Sequence, residues 1–465
     1  MPKSAVGAEG KGTGLLRYLF ISLALCLLCL PGSAQSSLNP EERAETFRIV
    51  WETVRDRYFD PDFGGVDWQA VRKEMEPSAI SAASDSAFYE VLQQMVDRLG
   101  QSHFRVMPPF WASTRERVRK GSASAGIDIS TPNDEVLVWR MKPEVREQLP
   151  TLRPGCVLLQ AGDVVFAELR QQITKELAKA PQASDKQAHK DLHGDAQSDV
   201  QSEFLETAGF ALTGRYGETL SLQYRCGDAA VQHGSVKLRS YAKEYSEQMG
   251  NVPRLETEFE VRQLEGDVIA IRFNLFVMSL LPRIRQAIQQ AAADGRAGIV
   301  FDVRGNPGGI GTMANGLAGY LLQTRASLGV MKLRTAQLKF LAFPQEPAYL
   351  GPVAVLIDGH SASTSEIFAA GLQELGRAIV VGERSMGAAL PSYFIELPHG
   401  AMLQFAVADY LTAGGKRIEG AGVEPDVPVV MDAPSLLSGL DPQLEAARKA
   451  VLRKAQQSAI VVTGF

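Results

Sequence analysis

Cysteine is scarce in this sequence: four in 465 residues, two of which, Cys26 and Cys29, fall in an apolar segment near the start. Cys156 and Cys226 remain, an even pair that in an oxidising compartment can bridge or can stand as two buried thiols. Positive charge is not in surplus, with 48 Lys and Arg against 53 Asp and Glu and a formal net charge of -5. No Lys/Arg stripe is interleaved with aromatics, so the electrostatic footprint of a nucleic-acid binder is missing. Beyond residue 34 no apolar run approaches the roughly 20 residues that a membrane span needs. Histidine is also sparse, at six, which limits the candidates for any role that needs an imidazole. What is present is ordinary in apolar and charged content. A chain of this length and composition holds two or three domains with their own cores rather than a disordered tail.

The first residues read as a secretory signal. Lys3, Lys11 and Arg17 precede an apolar centre of about 13 residues, too short for a span, which ends in the small-residue pattern Pro31-Gly32-Ser33-Ala34. Cleavage after Ala34 and export to the periplasm or the exterior are expected, with membrane attachment only if residues 1–34 are retained. Leu25 stands where a lipoprotein signal would need a small residue. Residues 35–118 follow a helical pattern, in which Pro40-Glu41-Glu42 opens a helix and Phe47, Val50, Trp51, Val54 and Tyr58 form one apolar face. Residues 119–242 change to short β runs punctuated by Gly and Pro, with a polar stretch at about 173–203 that reads as a mobile insertion. His189 and His193 in that stretch share metal-ligand spacing, but solvated charges surround them and no Glu adjoins the first, so no metal site is expected. Residues 243–435 alternate helices with buried strands, which implies a largely parallel sheet, and residues 436–465 close the chain with a helix from about Pro442 to Gln457.

One stretch organises the rest: residues 353–366, VAVLIDGHSASTSE, where a strand stops at Gly359 and gives way to His360, three serines and a helix. A strand ending in this way presents a small nucleophile at the mouth of a parallel sheet, where backbone N–H groups converge. Ser361 within GHSAS imitates the elbow of α/β-hydrolases, but that fold needs an acid and then a histidine later in the chain, and only His399 follows. A serine hydroxyl needs a base within reach, and His103 and His360 are the two histidines placed to serve. Asp302 and Arg304 read as a structural ion pair, and Glu366 as a favourable charge at its helix N-terminus.

The block from Ile357 to Gly387, together with GIVFDVRGNPGG at 298–309, resembles the signature blocks of the C-terminal-processing and tricorn-core serine peptidases. The resemblance runs from about residue 44 to about residue 430. It implies an α/β fold with a ClpP/crotonase-like spiral core, an N-terminal helical domain and a PDZ-like β domain, and a peptidase that uses no metal or organic cofactor. The nucleophile would be Ser363, with Gly308 or Gly309 and Thr364 supplying oxyanion N–H groups. Many bacterial members carry a lysine base two strands later; here Ala388 stands at that place and Ser392 at the following glutamine. The segment Gly100-Gln101-Ser102-His103 instead matches the Gly-x-Ser-His of the tricorn-core branch. That match makes His103 the base, with Ser102 and Glu419 orienting it. Ser124, Ala125, Gly126 and Ile127 would form the carboxylate-binding loop of the PDZ-like domain. Polypeptides are the expected partners. A binding protein that has kept the scaffold and lost turnover is the competing reading, and nothing in the sequence addresses oligomeric state.

Overall fold

The computed structural model describes residues 38–109, 122–179, 196–241, 244–248 and 254–463. The apolar N-terminal segment, the middle of the polar stretch, and His189 and His193 lie outside these residues.

Three helices come first: Pro40–Arg57, Trp68–Ile80 and Asp85–Asp97. Each has a start that chemistry favours. Pro40 occupies the first position, where a missing N–H costs nothing, while Asp67 and Ser84 accept from the N–H groups of Ala70 and Ala87. Trp51 and Trp68 lock the first two helices together, each indole N–H donating to the other residue's carbonyl at 2.9 and 3.1 Å. The helical pattern expected over residues 35–118 breaks after the third helix. At Gly100, φ +61°, the chain leaves the helical path, passes through Ser102 and His103, and enters a short strand, Arg105–Met107. That strand pairs antiparallel with Met402–Ala406, setting Val106 opposite Leu403.

The next part is a sheet with strand order Ile127–Ser130, Val136–Met141, Cys156–Ala161, Thr219–Cys226 and Gln232–Lys237. Cys156 and Cys226 face each other across two of these strands and form a disulfide. The polar stretch is helical at both ends, as Phe166–Lys179 and Ala196–Ala211. Its composition hid this, because the few apolar residues it contains fall on inward faces: Ile173, Val200, Phe204 and Ala208 all join the core under the sheet.

A six-stranded sheet runs in chain order: Phe259–Leu264, Val268–Phe273, Gly298–Asp302, Val353–Ile357, Ala378–Gly382 and Val427–Pro428. Its first pair is antiparallel and the rest are parallel. Gly298–Asp302 and Val353–Ile357 are buried at every position, as parallel strands are when both faces are covered. Alternate residues serve the two sides. Ile299, Phe301, Val353 and Val355 pack with the helices Leu281–Ala293, Thr312–Gly319 and Thr364–Glu374. Val300, Ala354 and Leu356 pack with Leu444, Ala447 and Val451 of the C-terminal helix Pro442–Thr463. Phe301 meets Phe368 edge-on at 5.4 Å. Each such fully buried side chain contributes about 1.5–3 kcal/mol, so the helix after residue 363 is fixed firmly on the sheet.

Candidate active site

The central strand Val353–Ile357 ends at the carboxyl end of the sheet, and the chain turns through residues 358–363 into the helix Thr364–Glu374. Ser363 is the residue at that turn, with φ 54° and ψ -115°, a region that costs a non-glycine residue about 1–3 kcal/mol. The surroundings hold it there. Its N–H donates to Ala388 O at 2.8 Å and to Glu366 Oε2 at 2.9 Å, and its carbonyl accepts from Glu366 N and Ile367 N. The neighbouring serines are committed elsewhere. Buried Ser361 donates to Val303 O at 2.8 Å and accepts from Asp358 N, and buried Ser365 donates to Asn306 O at 2.8 Å. Ser363 alone of the three is partly open to solvent.

The turn Gly305–Gly309 packs directly on this loop. At Gly308, φ +98°, a Cβ would come within 2.8 Å of Ser363 Cβ, Ala362 O and Thr364 N, so only glycine permits the approach. Asn306 organises the turn from inside. It is fully buried, donates to Phe273 O and accepts Gly308 N–H on Oδ1, both at 2.9 Å, while its carbonyl accepts from Ala362 N. Thr364 Oγ1 closes the other side by donating to Gly309 O at 3.0 Å. The N–H of Gly308 is therefore occupied. Among the described residues, no protein acceptor takes the N–H of Gly309 or of Thr364.

Glu366, three residues into the loop-to-helix transition, is fully buried and receives four donors. Oε1 accepts from Ser385 Oγ at 2.6 Å and Gly387 N at 2.8 Å; Oε2 accepts from Ser363 N at 2.9 Å and Ala388 N at 3.0 Å. Burial, opposed by these bonds, pushes its pKa up to about 7. From the sequence this carboxylate belongs only to its own helix end. Its partners lie about twenty positions on and are mostly backbone, so no side-chain motif announces them.

His103 arrives from the helical part of the chain. Its backbone has φ 62°, and its Nδ1 lies 2.6 Å from Ser102 Oγ. Ser102 N–H donates to Glu419 Oε1 at 2.8 Å, and the other oxygen of Glu419 accepts from Ala389 N at 2.9 Å. Since Ser363 N–H donates to Ala388 O, one continuous run of hydrogen bonds leads from the Ser363 backbone through residues 388 and 389 and Glu419 to Ser102 and His103. Desolvation lowers the His103 pKa to about 4, so the imidazole is neutral at pH 7. Burial raises the pKa of Glu419, and its bonds from Ser102 and Ala389 oppose that rise. The segment is braced from both ends. Gln93 Oε1 accepts from Val106 N at 2.8 Å, and Gln101 Oε1 accepts from Arg417 at 2.9 Å. His360 sits apart from this run; its N–H donates to Asp358 Oδ1 and its ring acts electrostatically on Glu383.

Comparison with known proteins finds relatives for most of the chain. Residues 267–429 match the profile of peptidase family S41, and residues 39–97 match that of the tricorn protease C1 domain. Carboxyl-terminal-processing proteases of two cyanobacteria are similar over most of the chain. The one from Picosynechococcus sp. is 24% identical over 412 residues, 87% of each chain. Residues 267–429 form a peptidase family S41 domain.

It is a serine-type peptidase. A second S41 relative, from Synechocystis sp., is 24% identical over 443 residues, covering 94% of this chain and 93% of its own. The fold is shared with the photosystem II D1 C-terminal processing protease at a TM-score of 0.53, 18% identity and 88% and 97% coverage. Mature CPAF shares it at a TM-score of 0.56, 13% identity and 89% and 97% coverage. In this S41 peptidase, Ala388 provides only backbone: its carbonyl holds Ser363 and its N–H meets Glu366. Asp302 and Arg304 form a buried ion pair at 2.8 Å, and Arg304 also bonds Asp441 and Gln443. Among the described residues, no helix is long and apolar enough to cross a membrane and no cluster of side chains could hold a metal ion.

The expected carboxylate loop is partly closed. Ser124 N–H donates to Arg239 O, Ala125 N–H to Leu212 O, and Gly126 N–H to Ser124 Oγ at 3.3 Å. The Tyr241 ring lies against Gly126, where a Cβ would come within 2.4 Å of its hydroxyl, and that hydroxyl is buried without a hydrogen-bond partner. Ile127 begins an edge strand that pairs on one side only and lies beside the helix Ala196–Ala211, along a cavity of about 480 Å³.

Proposed function

We propose that this chain is an exported serine endopeptidase that cleaves polypeptides through an acyl-enzyme on Ser363. The hydrogen-bonded run from Ser363 to His103 is the observation that carries this reading. In the active tautomer, His103 keeps its proton on Nδ1 and donates it to Ser102 Oγ, which donates on to Glu419; Nε2 is then free to accept. The Ser363 hydroxyl proton passes to Nε2 as Oγ attacks the peptide carbonyl. The resulting oxyanion is received by the N–H groups of Gly309 and Thr364, with Gly308 supplying close approach rather than a donor. Collapse returns the proton to the leaving amine, and water repeats the sequence on the ester. The edge strand from Ile127, in the PDZ-like part at 119–242, offers an extended chain a ladder of backbone hydrogen bonds. A fluorophosphonate should label the full chain and fail to label Ser363→Ala; equal labelling of both refutes the assignment.

The neutral state of His103 also sets a pH profile. Its pKa, lowered to about 4 by desolvation, keeps the base competent in mild acid. With an unfolded protein as substrate, kcat/KM should hold through about pH 6 and halve near pH 4, rather than near the roughly 6.5 of an unperturbed imidazole. An acid limb centred at the unperturbed value, with the protein still folded by circular dichroism, would contradict this base.

A further inference from the structure

A cavity of about 560 Å³ between the β-rich part and the parallel sheet plays no part in this chemistry. Six arginines and three carboxylates line it, and the carboxylates are already spent. Asp302 and Asp441 both pair with Arg304, at 2.8 and 2.9 Å, and Glu260 pairs with Arg140 and Arg262, at 2.7 and 3.1 Å. On the exposed rim, Arg146 and Arg153 have no carboxylate partner among the described residues. Arg272 reaches Asp302 with one arm at 3.3 Å, while its Nε is buried without an acceptor. The rest of the wall is aromatic and apolar. The guanidinium groups of Arg272 and Arg304 lie 4.6 and 4.9 Å from the Trp139 ring, and Leu436, Leu440 and Leu444 lie nearby.

A surplus of guanidinium groups over carboxylates and an apolar floor together select a ligand with one anionic end and a greasy body. We propose that this cavity binds a monocarboxylate with an apolar tail, its oxygens on Arg272, with Arg146 and Arg153 drawing it in and the tail against Trp139 and Leu440. A peptide freshly released by cleavage has this chemistry at its new C-terminus, and so has a fatty acid. The first source rests on the peptidase reading; the binding itself does not. Arg304 stands immediately before the turn that carries Gly308 and Gly309, so occupancy of the cavity bears on the residue that anchors that turn.

The test is calorimetric titration of full-length Ser363→Ala with decanoate, N-acetyl-Leu-Leu and the amide of each. Each acid that binds should do so about tenfold or more tighter than its amide. Binding by the dipeptide acid alone assigns a peptide source, by decanoate alone a lipid source, and by both the shared chemistry. Arg146→Glu with Arg153→Glu, both exposed and safe for folding, should weaken the acid by about tenfold or more. Lys142→Glu, which lines the other cavity, should leave it unchanged. Equal affinity for acid and amide, no binding by either acid, or sensitivity to Lys142→Glu instead of the rim pair overturns the proposal. Wild-type turnover without binding removes the cavity and leaves the peptidase, whereas binding without turnover does the reverse.

Discussion

His103→Ala lowers kcat/KM on an unfolded protein substrate by about 10³–10⁶-fold, Ser363→Ala does the same, and the double variant is no worse than either. The expectation follows from one proton path. Nucleophile and base act in a single step, so removing either removes the step, and the residue left behind contributes nothing alone. The folded state should survive both changes, because Ser363 is held by its backbone and His103 sits on a loop fixed by Gln93, Gln101 and the Arg105–Met107 strand. His360→Ala is the control. Its backbone N–H is bonded to Asp358, and it takes no part in the Ser102–Glu419 hydrogen bond, so activity should stay within about twofold of wild type. Activity lost with His360→Ala and kept with His103→Ala would give the base to the wrong histidine.

Glu366→Gln is the second large effect. Each carboxylate oxygen accepts two hydrogen bonds and donates none, so the site demands an acceptor at both positions. An amide places its NH₂ against two N–H or O–H donors. Two unsatisfied donors at about 1–3 kcal/mol each imply a loss of about 2–6 kcal/mol in stability. They also free Ser363 to relax from its left-handed backbone and displace residues 388 and 389 from Glu419, so kcat should fall by about 10²-fold or more per folded molecule. Counting folded sites with a fluorophosphonate separates the two. Unchanged kcat per labelled site would make Glu366 a purely structural residue. The pH dependence has a definite sign. Because the folded chain holds this proton more tightly than the unfolded one, with a pKa of about 7 against 4.5, its stabilising contribution is complete in acid and is lost as pH rises through about 7. The Gln variant should lack that slope in denaturant titrations across the same window.

Much of this was legible in the residues themselves. The fully apolar runs around residues 300 and 355 read directly as buried strands, while the serine block and the Gly-Gln-Ser-His segment carry the family resemblance through which Ser363, His103 and Glu419 are assigned. What escaped depends on groups that a sequence does not display. The N–H of Gly308 looks available until Asn306 Oδ1 is seen to take it. Ser124 and Ala125 look like a receiving loop until Arg239 and Leu212 are seen to accept their amides. Glu366 looks like a helix-end charge because three of its four partners are backbone. The helices at either end of the polar stretch were hidden because an inward stripe of four residues is diluted by charged neighbours. The strand at Arg105–Met107 is simply too short to leave a pattern.

Glu419 joins what the ribosome makes last to what it makes first. Its two oxygens are held by Ser102, from the opening helices, and by Ala389, from near the end of the chain. On the proposed assignment, a nascent polypeptide has His103 early and Ser363 later, and lacks the carboxylate that holds Ser102 until residue 419 has been added and folded back. On the proposed assignment of the site, hydrolytic competence is therefore withheld until synthesis has passed residue 419, and the order of the codons delays the enzyme's own activity.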